Sequence, residues 1–446
     1  MKKVFTKILS VAMVVCCLIG LTACDTKLAK VGVSTLNVTS NGGPVAKQGN
    51  TVYFVNGFLA PNATSNKFGE VGISSLYKVV LNNAGEMTKK DDGSIDNMTQ
   101  LVSSQTGFEK GSIFVFGDYV YYATPYSGKD KTGSVLYNYL SFYRIKNDGT
   151  DRTLICTTDT ADANMTYTYY VTGEDCLTLV LFEQTSGFLT SYTLTNKVTH
   201  NIIDENVVSV AFSEANGIGS ACDGLVFYTK SVDKDDENQK GNKVYKVKPN
   251  GTEKTLISSG LNVDIVTICN GFLVYEEDGE TRISKCETEL KKTDKVISYI
   301  SYSTVKYLAS NDCVSMIVLD ETDKNNVKIK YVDGSNPSNN YVLFEGKATI
   351  IGTDSEYLYF YDSSNYIYKV KFTEEKNDST NNPTKICIKA VAAQNGTMVP
   401  EVVGGYVYFF GFLVGDDNKD TKTVLLYRVK CLAETAIAAE LVGVSA

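Results

Sequence analysis

One histidine, His200, stands in a chain of 446 residues, and that count alone removes much of the chemistry a protein of this size could carry. A lone imidazole cannot build a multi-histidine metal centre or a repeated acid–base device. In "KVTHNII" it reads as a surface residue near a strand end. No G-x-S-x-G turn, phosphate-binding loop or dinucleotide glycine fingerprint occurs. Glycoside chemistry would need two carboxyls roughly 5 to 9 Å apart. The 51 acidic residues, many in stretches such as "VDKDDENQ", single out no pair. "DDNKD" at 416–420 has the alternating oxygen donors that open a calcium loop, but it lacks glycine at the sixth place and has Tyr427 at the twelfth. The site reading is therefore spare: no catalytic residue, no metal ligand, no cofactor, and ligand-binding residues unassigned.

Chemistry with a definite address lies at the start. "MKKVFTK" is basic, "ILSVAMVVCCLIGLT" is an apolar run of 15 residues, and Ala23 and Cys24 follow. The run falls short of the roughly 20 residues that span a bilayer and is followed by polar chain, the pattern of a secretory signal peptide. Leu21, Thr22, Ala23 and Cys24 resemble the lipobox of bacterial lipoproteins, whose cysteine thiol takes a diacylglycerol before the chain is cut ahead of it. The resemblance implies cleavage between Ala23 and Cys24, acyl chains of the palmitate kind on Cys24, and anchorage on the outer face of the cytoplasmic membrane. Bulky Leu21 argues against ordinary cleavage at the same point, which wants small side chains. Two acyl chains, at about 0.8 kcal/mol per buried CH₂, hold where one would be marginal.

Beyond Cys16, Cys17 and Cys24, eight cysteines remain, and no pair has C-x-x-C spacing. Most sit in apolar runs such as "TLICTT" and "KICIKA" and read as small buried side chains. A disulfide stays open, with Cys269 and Cys286 as the leading pair. Without residues 1–23 the chain carries 40 basic against 51 acidic side chains, a net charge of −11 that repels nucleic acid.

The elements that would position any site come from a repeat. "YRIKNDGTDRTLI" (143–155) returns as "YKVKPNGTEKTLI" (245–257), and both belong to a series of eight apolar strands, each answered by a second strand. Taking Tyr77, Tyr143, Tyr192, Tyr245, Ser284, Lys328, Tyr368 and Tyr427 as equivalent points, the mean period is 50 residues. Short Tyr-, Val- and Phe-rich runs bounded by Gly, Asp and Asn are strands. In "YVYY" both alternating positions are apolar, so both faces are covered, as in blades stacked around a ring. A period near 50 with four strands per unit predicts an all-β, closed β-propeller of about eight four-stranded blades, with seven left open because blades 3, 5 and 6 match poorly. Asp148-Gly149 and Asn250-Gly251 form the tight turns between third and fourth strands. The repeat resembles the Tyr-rich propeller repeats of Gram-positive surface lipoproteins and, more distantly, TolB-like and YWTD-type propellers. It departs from the last in having no tryptophan.

The expected organisation is a signal peptide over 1–23, lipidated Cys24 and tether over 24–33, and one propeller over 34–446. "STLNVTS" (34–40) is expected to complete the blade that ends in "AAELVGV" (438–444). Long connections at 59–73, 125–139, 230–242 and 412–423, in blades 1, 2, 4 and 8, share one face; blades 8, 1 and 2 are neighbours once the ring closes, and binding is expected in that sector. The expected function is a non-catalytic binding or scaffolding module for a protein or cell-envelope ligand. The alternatives are an extracytoplasmic hydrolase or lyase using loop carboxylates, and a solute-capturing lipoprotein.

Overall fold

The computed structural model describes residues 38–444 except 40–41, 60–74, 104–112, 126–139, 159–164, 174–175, 213–223, 232–240, 259, 261, 270, 287–288, 293, 297–301, 311–312, 324–326, 337, 373–381, 393–398 and 416–419. Among these residues there is no helix, and the strands form eight sheets. Blade 2 shows the plan: Ile113–Phe116, Tyr119–Pro125, Leu140–Lys146 and Thr153–Thr157, each antiparallel to the next. First strands of adjacent sheets touch. Val45–Gln48 of blade 1 meets both Ile113–Phe116 of blade 2 and Glu401–Val403 of blade 8, so the first strands line an axis and blade 8 returns to blade 1. The protein is an eight-bladed β-propeller. Blades 3, 5 and 6, which match the repeat poorly, are complete four-stranded sheets.

The two-sided burial expected from "YVYY" is present. Val120 and Tyr122 pack into a core shared with blade 1, while Tyr119 and Tyr121 pack against Tyr169 and Leu179 of blade 3. Each such large apolar side chain contributes about 1.5–3 kcal/mol on burial. The repeated tyrosine of the third strand stacks on the aromatic residue opposite it in the second strand. Phe54–Tyr77, Tyr122–Tyr143, Tyr228–Tyr245, Phe360–Tyr368 and Phe409–Tyr427 all do so, with centroids 5.5 to 6.0 Å apart. Where the repeat is degenerate the stack has moved outward, to Tyr192–His200 in blade 3 and Tyr331–Tyr341 in blade 6, between third and fourth strands. His200 is accordingly a half-buried residue within the strand Val198–Asp204, which corrects its reading as a surface residue near a strand end. The duplicated turns bond alike. Asp148 accepts from the Thr150 amide and hydroxyl, Asn250 accepts from those of Thr252, and Gly149 and Gly251 take φ of +88° and +84°.

Ring closure differs from expectation. Val38–Thr39 pairs with Gln48 and Lys47, on the axial edge of blade 1's own first strand, and not with blade 8. The outermost place in blade 8 is shared by two short segments that pair with the strand Asp420–Lys430: Glu440–Leu441 from the C-terminal end and Gly57–Leu59 from blade 1. Asn56 is the pivot. Its carbonyl accepts the Leu426 amide, and its side-chain amide exchanges hydrogen bonds with the backbone of Val444 at 2.6 and 2.9 Å. A Cβ on Gly57 would collide with the Val424 carbonyl, so the strand can cross to blade 8 only as glycine.

Of the cysteines, Cys156, Cys176, Cys387 and Cys431 are free thiols. Cys286 is disulfide-bonded, and the side chain of its partner lies outside the described residues.

Candidate functional site

Because consecutive strands are antiparallel, the second-to-third and fourth-to-first connections open on one face of the ring and the tight turns on the other. The connections at 59–73, 125–139 and 230–242 fall largely outside the described residues. In blade 8 the expected loop 412–423 is mostly strand. Tyr406–Val414 and Asp420–Lys430 are 9 and 11 residues long and pair as far as Val414 with Asp420, forming a projecting hairpin braced by Gly57–Leu59. Of "DDNKD" only Asp420 is described. Among the described residues no group of three His, Cys, Asp or Glu could hold a metal ion.

This hairpin positions a side chain that the sequence did not single out. Lys389 arrives on the connection from blade 7, which is pinned by hydrogen bonds from the Val391 amide to Asn365 and from the Ala392 amide to Phe410. Its ammonium lies 4.6 Å from the centroid of the Tyr427 ring, and its stem fills the space left by Gly411, where a Cβ would meet Lys389 Cε at 2.8 Å. Burial lowers its pKa while the charge of Asp420 opposes the fall. A cation of reduced basicity on an aromatic face, with a carboxylate near it, is equipped to recognise a polar or anionic group. Nothing in "CIKAVAA" announces this; the signal would have been Gly411, the small residue in an otherwise bulky strand.

Glu401 marks the mouth of the axis on the same face. Its carboxylate accepts the Val45 amide at 3.2 Å and occupies the place a Cβ on Gly43 would take, tying the first strand of blade 8 to that of blade 1. The thiols offer no nucleophile here: burial raises Cys387, and burial likewise pushes Cys431 up to about 11. One buried charged cluster lies at the seam between blades 3 and 4. Asp204 of blade 3 binds Lys230, Lys254 and the Tyr228 hydroxyl of blade 4. Burial alone would raise its pKa, but these hydrogen bonds overcome burial and hold it at about 2.

No protein-family profile matches the chain, and no curated protein is similar to it. Among solved structures it is similar to the β-propeller domain of the trilobed protease from Pyrococcus furiosus, at 10% identity and a TM-score of 0.41, covering 78% of this chain and 100% of that one. TolB from Acinetobacter baumannii gives 10% identity and a TM-score of 0.31, covering 60% and 66%. An oligogalacturonate lyase in complex with manganese gives 9% identity and a TM-score of 0.40, covering 90% and 98%. The class that the strand order defines is the eight-bladed propeller, closed between blades 8 and 1 by an exchanged strand.

Proposed function

We propose that this protein is a lipid-anchored extracytoplasmic binding module, tethered through Cys24 to the outer face of the cytoplasmic membrane, with the long-connection face of its ring turned away from the bilayer. The observation that carries this reading is the direction of the first strand. Val38 lies opposite Gln48 and Thr39 opposite Lys47, so the chain enters the axis from the tight-turn face. Only 13 residues lie between Cys24 and Val38, a reach of at most about 50 Å, which favours the tight-turn face on the membrane side. The face bearing Lys389, Asp420 and Glu401 is then free to receive a protein or envelope ligand. The acidic net charge supports a partner other than nucleic acid.

The anchor is tested by Cys24→Ala. The variant leaves the membrane fraction or stays uncleaved, and globomycin blocks processing of the parent. Processing that continues in globomycin, or unchanged membrane retention of a cleaved variant, contradicts the anchor.

A further inference from the structure

A row of residues recurs across the blades, with a tyrosine of the second strand opposite a basic residue of the third: Tyr53–Lys78, Tyr121–Arg144, Tyr275–Arg282, Tyr359–Lys369 and Tyr408–Arg428. Two of these cations are almost wholly buried, Arg144 at 1% exposure and Arg428 at 0%. Their guanidinium groups sit alike, 4.3 Å over the ring of Tyr119 and 4.1 Å over that of Tyr406. Their counter-charges differ. Arg428 donates through Nε to Glu440 at 2.7 Å, and Glu440 is the residue opposite it in the outer strand. The residue opposite Arg144 is Thr153, which has no charge. In blade 5, Arg282 has Glu280 and Glu277.

Among the described residues Arg144 has no ion pair, and its buried Nε and Nη2 make no hydrogen bond. The Tyr121 hydroxyl lies beside this guanidinium and accepts from it, which leaves its own proton unused; the Tyr169 hydroxyl, from the first strand of blade 3, is buried and makes no hydrogen bond, and the two rings are 5.1 Å apart. The carboxylate beside this group, Asp151, is held by the Tyr119 hydroxyl at 2.7 Å. Burial raises the Tyr121 phenol and Arg144 pulls it back; burial raises Tyr169 well above its ordinary value. Both therefore remain donors at neutral pH. A buried cation without a counter-ion is among the costliest arrangements a protein can hold. Arg144 and the Tyr121 phenol thus form one buried group of donors, with the Tyr169 phenol of the neighbouring blade on a ring packed against that of Tyr121.

From this we infer that the interface between blades 2 and 3 holds a small monovalent anion of chloride size, bound by Arg144, Tyr121 and Tyr169 in the place that the Glu440 carboxylate fills in blade 8. The rim beside Thr153 is half-buried, the position from which Glu440 reaches Arg428, and it gives such an ion its entry. Recognition needs one positive charge and hydroxyl donors, which suits chloride or bromide better than water, since water would leave the charge uncompensated.

The test uses residues 25–446, which contain the whole ring. Thermal unfolding is followed while sodium chloride or bromide replaces gluconate at constant ionic strength. A saturable rise of the midpoint, about 1–2 °C or more, is expected with either halide. Arg144→Met should lose that dependence. Thr153→Glu, which supplies the missing carboxylate, should be equally stable in gluconate and in chloride. A flat titration of the parent protein, or a Thr153→Glu variant that keeps the full halide response, would overturn the inference. If Arg144→Met does not fold, the Thr153→Glu comparison decides alone. A bromide-soaked crystal gives a readout free of variants: an anomalous peak between Arg144, Tyr121 and Tyr169 supports the site, and water there refutes it.

Discussion

Asp204 shows how single charges join the blades. Its carboxylate takes two lysines and a phenol from the next sheet, and its pKa of about 2 lies below the ordinary 3.8. A carboxylate with a depressed folded pKa adds stability that is fully present above its unfolded pKa and disappears as pH falls through the folded one. Denaturant midpoints should therefore decline from about pH 4 to about pH 2, and Asp204→Asn should flatten that limb. At neutral pH the same variant should cost about 2 kcal/mol, because two lysines lose a charged acceptor. Equal acid limbs for parent and variant would show that Asp204 has no such part in stability. Little at this scale was legible in advance. The repeat marked the tyrosines, and the stacks confirm them, but Asp204, Lys389 and Glu401 act through neighbours about 26, 31 and 356 positions away. Local pattern cannot reveal such pairs. The displacement of His200 from rim to stack has the same cause, since a degenerate blade filled its aromatic pair from the fourth strand.

At the scale of elements, period and two-sided apolar strands were enough for the sheets, because each second strand is pressed between two neighbours whatever the loops do. Closure was not legible. Pairing Gly57–Leu59 with blade 8 depends on Asn56 and on a glycine admitted for want of room, and neither stands out in "VNGFLA". The variants follow from that geometry. Gly57→Ala should destabilise the ring by about 2–4 kcal/mol, as overpacking against a backbone carbonyl does. Asn56→Ala should cost about 2–3 kcal/mol by leaving buried backbone groups unpaired. Amide exchange at 423–425 and 57–59 should accelerate in both, ahead of exchange in blades 3 to 6. Uniform acceleration around the ring would show that closure lies elsewhere. The outward face has a matching prediction: Lys389→Ala should cost only about 1 kcal/mol, through the lost packing of its stem over Gly411, while abolishing any ligand-induced shift. A ligand response that survives the change would move the binding site off this hairpin.

At the scale of the molecule, the ring is a rigid spacer with two unlike faces. One carries the tight Asp-Gly and Asn-Gly turns and admits the N-terminal segment; the other carries the long connections and the projecting hairpin. If the chain is anchored at Cys24, that polarity fixes which face meets the surroundings, and the function as a binding module depends on it. The direct measurement is energy transfer between acceptor-labelled lipids and a donor dye on single added cysteines, with the lipidated protein in vesicles. Glu253→Cys places the dye on a tight turn of blade 4, and Ser363→Cys places it on the opposite face in blade 7, both at exposed positions. Strong transfer is expected from position 253 and weak transfer from position 363. Equal or reversed transfer would contradict the outward-facing site, and a protein that does not bind vesicles at all would contradict the anchor.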